Sequence, residues 1–142
     1  MTKNSNDTTI TLTDQDKSTL RTAAYGAVSL LVAADATGKP HKVATKGSLA
    51  LSSATGPVGH VLAAKSKDIS LDGKNVAELA DLVLPALTES MDLLKKQSPA
   101  EANNFRSTVL LALETATHVH KGDLSPVLTE MIRKITAALD AA

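Results

Sequence analysis

Ser98-Pro99-Ala100-Glu101-Ala102-Asn103-Asn104-Phe105-Arg106-Ser107-Thr108-Val109-Leu110-Leu111-Ala112-Leu113-Glu114-Thr115-Ala116-Thr117-His118-Val119-His120-Lys121-Gly122 contains both a start and a stop signal for a long helix. The Ser98 hydroxyl can accept the backbone N–H three residues on, and Pro99 suits the first helical position, where no N–H is needed. Glu101 stands where a carboxylate can reach back to Ser98 and complete a capping box. At the far end Lys121 suits the negative pole of the helix dipole, and Gly122 can take the left-handed backbone that stops a helix. Between these ends Ala102, Phe105, Val109, Ala112, Leu113 and Ala116 recur three and four residues apart, which is one buried stripe. The spacing predicts a helix long enough to serve as the axis of an all-α bundle.

Working outward, the preceding stretch begins with Asn75 and Glu78 at capping-box spacing. Val76, Leu79, Ala80, Val83, Leu87, Met91 and Leu94 then keep a helical period up to Gln97. Pro85 lies inside this run and removes one backbone hydrogen bond, so a kink near Pro85 is expected. On the other side Ser125-Pro126 opens a last helix with Leu128, Met131, Ile132, Ile135 and Leu139 inward and Arg133 and Lys134 wet.

Nearer the start of the chain, Thr13 and Asp16 mark a first helix with Leu20, Ala24, Ala27, Val28, Leu31 and Ala34 on its apolar side. Tyr25 is read as a ring packed at the edge with its hydroxyl in water. Pro40 opens a second helix whose inner face, Val43, Gly47, Ala50, Leu51 and Ala54, is made of small residues that permit close helix approach. Gly56-Pro57 breaks or kinks it, and a short helical pattern resumes at Val58 with Val61 and Leu62 inward. Helix break and close packing account for Gly56 and Gly59, and His60 reads as a boundary packing residue. The expectation is an antiparallel bundle of five to six helices, a single domain over residues 13–142 after a mobile tail at 1–12. Ile10 and Leu12 alternate with threonines, as Ile69 and Leu71 do with polar neighbours, so a two-stranded pairing is a further option.

Composition removes several classes of function. The chain has 142 residues, with 15 basic and 15 acidic side chains that cancel, so no global field draws nucleic acid or an anionic membrane. One Tyr, one Phe and no Trp leave no stacking platform for bases. Cysteine is absent, which excludes disulfides, thiolate metal sites and cysteine catalysis and fits a cytoplasmic protein. The longest nearly apolar run, Ala23 to Ala34, is about a dozen residues, short of the roughly 20 that cross a bilayer. No Gly-x-Ser-x-Gly elbow or paired catalytic acids stand at recognisable spacing, and a non-enzymatic protein is expected.

An internal similarity becomes visible when helix starts are aligned on their prolines. Ala33-Ala34-Asp35 through Pro40 precedes its helix as Gly122-Asp123-Leu124-Ser125-Pro126 precedes the last one. In these segments the chain resembles the tellurite-resistance TerB-like helical bundles, whose two repeats run helix, Ala-Asp-Gly turn, Ser-Pro, then an acidic helix start. The resemblance implies an all-α fold and a divalent metal held at the turn aspartates, here Asp35 and the Asp123 region. Lys121 and the pairs His41-Lys42 and Val127-Leu128 depart from that pattern.

The residues themselves offer two candidate sites. His118, His120 and Asp123 cluster at a helix end, with Asp35 and His41 nearby if the two turns pack together; imidazole and carboxylate suit a divalent ion such as zinc. The competing reading has these histidines capping carbonyls at the helix dipole. Lys39, His41 and Lys42 surround free backbone donors at a helix start, a candidate anion site or simply a solvated basic turn; the loop lacks Walker A spacing. Two functions follow. One is an interaction module whose alanine- and glycine-rich faces dock a protein partner or a second copy, with no cofactor. The other is a metal- or anion-binding stress protein.

Overall fold

The computed structural model describes residues 10–34, 40–63, 75–117 and 125–142, without the side chains of 40–43. These residues form an all-α bundle of six helices: α1 Asp14–Ala34, α2 Pro40–Ser52, α3 Gly56–Ala63, α4 Val76–Gln97, α5 Pro99–Thr117 and α6 Pro126–Asp140.

The helix starts are made by local chemistry. The backbone N–H of Asp16 donates to Thr13 Oγ1 at 3.0 Å and that of Thr13 to Asp16 Oδ2 at 3.1 Å, a reciprocal cap for α1. Asn75 and Glu78 make the same box at α4, at 2.8 and 3.0 Å. Ser125 Oγ accepts the Leu128 N–H at 3.2 Å ahead of Pro126, which starts α6. α4 continues through Pro85, whose ring is exposed; the bond it forfeits is the one to the Asp81 carbonyl.

Direction follows from cross-helix pairs. Ser90 Oγ donates to the Thr19 carbonyl at 3.4 Å, and one turn or two further along Gly26 faces Val83, so α1 and α4 run antiparallel. The turn at Ser98 sends α5 back along α4, which makes α5 parallel to α1. Thr88 Oγ1 donates to the Ala138 carbonyl at 2.7 Å, and Lys95 Nζ to the Ala142 carbonyl at 2.8 Å, placing α6 beside α4 and in the same direction. α1 and α5 each touch all five other helices. The axis expected of α5 alone is therefore shared with α1, which buries Leu20, Ala23, Ala24, Ala27, Leu30 and Leu31 completely or almost so.

Small residues decide how close the helices come. A Cβ on Gly47 of α2 would lie 2.8 Å from Val28 Cγ1 and 2.9 Å from Cγ2 on α1, well inside van der Waals contact. A Cβ on Gly26 would strike Val83 of α4 harder still. Phe105 is the single large ring of a core otherwise made of Leu, Val, Ala, Ile and Met.

Residues 10–13 are not helical, and no strand occurs among the described residues. Ile69 and Leu71, the other half of the considered strand pairing, lie outside them. Of the stretch read as a tail, Ile10 and Leu12 pack against the core. Thr11 exchanges two hydrogen bonds with the Gln97 amide, N–H to Oε1 at 2.6 Å and Nε2 to carbonyl at 2.7 Å.

Gly26→Ala is expected to destabilise the protein by about 1 kcal/mol. A helical Gly→Ala change gains up to about 1 kcal/mol of propensity, and overpacking against the stiff, β-branched Val83 costs about 1–3 kcal/mol. Urea unfolding midpoints check this, and adding Val83→Ala should recover part of the propensity gain through a non-additive coupling between the two sites.

Candidate functional site

Every residue of the metal and anion candidates falls where nothing is described of its side chain. Asp35, Lys39, His118, His120 and Asp123 lie outside the described residues; His41 and Lys42 belong to the first turn of α2, with side chains likewise outside the described set. Among the described residues no group of three or more His, Asp or Glu is placed to hold a metal. What is described on the way to those turns is helix direction: α1 and α5 are parallel, so Ala34 and Thr117, which lead into them, emerge at the same end of the bundle. His60, expected at a packed boundary, is exposed on α3, because Val58, Gly59, Val61 and Leu62 take the inner face of that short helix.

The polar chemistry that the structure does assemble lies around α3. Its backbone begins at Gly56, whose φ of +76° is the left-handed conformation that a side chain disfavours. A Cβ there would also sit 3.2 Å from Oε2 and 3.3 Å from Oε1 of Glu101. Glu101 is only 6% exposed, and its Oε1 accepts the Val58 N–H at 3.2 Å. The capping box expected within α5 is thus half made. Ser98 Oγ accepts the Glu101 N–H at 3.3 Å, whereas the Glu101 carboxylate caps α3 and the Ser98 N–H goes to the Leu94 carbonyl at 2.7 Å. The reason is proximity in space: α5 begins against the start of α3, where the N–H groups have no partner within their own helix. Asn104, one turn along α5, donates through Nδ2 to the Thr55 carbonyl at 2.8 Å.

The other end of α3 is held from α1. Arg21, 8% exposed, donates through Nη1 to the Val61 carbonyl at 3.4 Å. Tyr25, one turn on, donates its hydroxyl to the Leu62 carbonyl at 2.5 Å. The hydroxyl was expected in water; it instead donates to the Leu62 carbonyl in the last described turn of α3. A carboxylate at the N-terminus matches the dipole of α3, a placement contributing up to about 2 kcal/mol when partly buried. Burial raises the Tyr25 phenol above its ordinary value of 10.0, with the positive charge of Arg21 acting in the opposite sense.

Sequence reasoning missed this clamp. Arg21 and Tyr25 stand four apart on one helix face, and a charged residue inside the apolar stripe of α1 is the one signal that marks a buried partner.

The surface has two characters. On α4 and α6 many exposed positions are charged, among them Asp81, Glu89, Asp92, Lys96, Glu130 and Arg133, with Leu82 and Val127 exposed between them. Hydrogen bonding to Arg106 holds the Asp140 carboxyl below its ordinary value, with desolvation opposing and the charges of Arg106 and Lys95 assisting. The pair is bidentate, at 2.8 and 3.3 Å, and solvent-exposed, so it orients the end of α6 more than it stabilises the fold. Among the described side chains of α2 and α5 the exposed positions are mostly uncharged, Thr45, Leu49 and Ser52 on one and Asn103, Ser107 and Leu111 on the other, with Lys46 and Glu114 one turn from Leu49 and Leu111. Leu49 is 60% exposed and Leu111 50%.

No protein-family model, curated protein or solved structure matches the chain.

Tyr25 is the one tyrosine of a chain without tryptophan, so its ionisation can be followed directly. The phenolate absorbance of the native protein should rise at higher pH than that of the urea-unfolded chain, because the folded value lies above 10.0. Folding stability should accordingly be complete below pH 10.0 and fall as the pH climbs from there through the folded value, since the folded state binds that proton more tightly. Coincident titrations of the native and unfolded forms would contradict the buried Tyr25–Leu62 contact.

Proposed function

We propose that the protein is a non-enzymatic interaction module of the cytoplasm that associates through the outward face of α2 and α5, with a protein partner or with a second copy of itself. The observation that supports the reading is the pairing of two features on neighbouring helices. Leu49 and Leu111 expose 60% and 50% of their surface, each with a single exposed charged neighbour one turn away on its own helix among the described side chains, Lys46 and Glu114. Single exposed leucines are ordinary. Two on adjoining helices, among described neighbours that are mostly uncharged, form a surface less costly to desolvate than the exposed side of α4 and α6, where Leu82 and Val127 stand among many more charged groups. Interface centres are likewise poor in charge. Among the described residues no helix is long and apolar enough to cross a membrane, so a bilayer is not the partner offered to this face by a spanning segment.

A second reading, a divalent-metal-binding protein of TerB-like type, draws on the parallel course of α1 and α5. It would place Asp35 on one turn and His118, His120 and Asp123 on another at the same end of the bundle, where oxygen and imidazole donors suit such an ion.

Native mass spectrometry of the untagged protein, purified without chelator, separates the two. Under the interaction reading a metal-free dimer or a protein complex is expected, and Leu49→Lys with Leu111→Lys, both at exposed positions that leave the core intact, should weaken it by at least about tenfold. A metal adduct lost in the His118→Ala/His120→Ala variant would favour the second reading. Association unaffected by the leucine changes would remove the α2–α5 face from consideration.

A further inference from the structure

We propose that the occupant of the α2–α5 face is a second copy of this chain, related by a two-fold axis parallel to the two helices; the inference rests on the interaction reading above and names its partner. Levels along the bundle carry the first step. Gly47 of α2 meets Val28 toward the end of α1, whereas Thr55, just beyond α2, accepts from Asn104 in the first turns of α5. Since α1 and α5 are parallel, α2 runs antiparallel to both. Measured from the Asn104 contact, similar rises along the two helices bring Leu49 to roughly the level of Leu111, and Lys46 to roughly that of Glu114.

The exposed face thus carries two rows. One holds a leucine on each helix, and the other, nearer the end where α1 and α5 finish, holds a cation on α2 and an anion on α5. Among the described residues neither Lys46 nor Glu114 makes an ion pair. A two-fold axis along the helices keeps level and exchanges one helix for the other. It sets α2 of each copy against α5 of its partner, Leu49 against the partner's Leu111, and Lys46 against the partner's Glu114, each contact made twice. The helices that face one another are then antiparallel. An axis across the helices instead sets α2 against α2 and α5 against α5, so Lys46 and Glu114 meet like charges or serines according to where the axis falls. The pattern is complementary to itself under the first rotation: each leucine is repeated on the other helix, and each charge is reversed there. That is what an isologous interface requires, and charge placed in this way fixes register.

Sedimentation velocity of the full-length protein over a range of concentrations tests the arrangement. The parent should dimerise. Lys46→Glu and Glu114→Lys, both at exposed positions, each bring like charges together at both contacts and should weaken the dimer by about tenfold. Mixed in equal amounts, the two variants should dimerise as well as the parent, because each contact of the mixed pair again joins opposite charges. A defect confined to one chain is not cured by mixing. A parent that stays monomeric at every concentration overturns self-association, while binding of a different protein that Leu49→Lys and Leu111→Lys abolish would keep the interaction reading. A dimer sensitive to those leucine changes but not to the charge reversals overturns the two-fold arrangement and keeps the face. A dimer indifferent to all four substitutions overturns both.

Discussion

The backbone ends of α3 set the constraint around which one side of the molecule is arranged. The first N–H groups of a helix have no partner within it, and burying those of α3 bare would cost several kcal/mol. Glu101 meets that demand from α5 at the Val58 N–H, Asn104 adds a second bond to the Thr55 carbonyl that already accepts the Gly59 N–H, and Arg21 and Tyr25 donate from α1 to the Val61 and Leu62 carbonyls. This explains two ionisable residues inside apolar stripes, Arg21 at 8% exposure and Glu101 at 6%. Glu101 is placed at the N-terminus of α3, where the helix dipole favours its sign. The same contacts orient α1 and α5 toward one another at the end of the bundle where α3 sits.

Away from that end, the bundle is held by close approach of small residues. With one aromatic ring in its core, Phe105, it cannot rely on large side chains to fill space between widely separated helices. Instead Gly26 admits Val83 and Gly47 admits Val28, so β-branched side chains of one helix press against the bare backbone of the next. Contacts of this sort gain dispersion energy over many atom pairs and tolerate few substitutions, because the neighbour is stiff at its first torsion. Buried hydroxyls fit the same scheme: Ser90 is small enough to lie between α4 and α1 and still give its proton to the Thr19 carbonyl.

The division of the surface follows from which helices the core uses on both sides. α4 and α6 expose positions that the sequence fills with Asp, Glu, Lys and Arg, whose hydration keeps that side in water. Among their described side chains α2 and α5 expose Thr, Ser, Asn and two leucines, which cost little to desolvate, beside Lys46 and Glu114. The proposed interaction face and the contacts that hold α3 share α5: its outer side carries Leu111, and its first turns carry Glu101 and Asn104.

Local chemistry in the chain was sufficient to mark the helices. Thr13 with Asp16, Asn75 with Glu78 and Ser125 with Pro126 act within four residues, so their spacing alone predicts where α1, α4 and α6 begin, and the three-and-four recurrence of apolar residues predicts which sides are buried. The break at Gly56-Pro57 was legible for the same reason. The turns carrying Asp35, His118, His120 and Asp123 offered metal-like chemistry by composition. Only the described helix directions bear on them, by setting Ala34 and Thr117 at one end of the bundle. What the sequence could not reveal was the destination of the Glu101 carboxylate, the partner of the Tyr25 hydroxyl and the sharing of the bundle axis between α1 and α5. The N–H three residues before Glu101, that of Ser98, is taken by the Leu94 carbonyl, so the carboxylate binds the N–H of another helix that the fold brings into reach. That choice depends on contacts 37 to 43 residues apart in the chain, which no local spacing encodes.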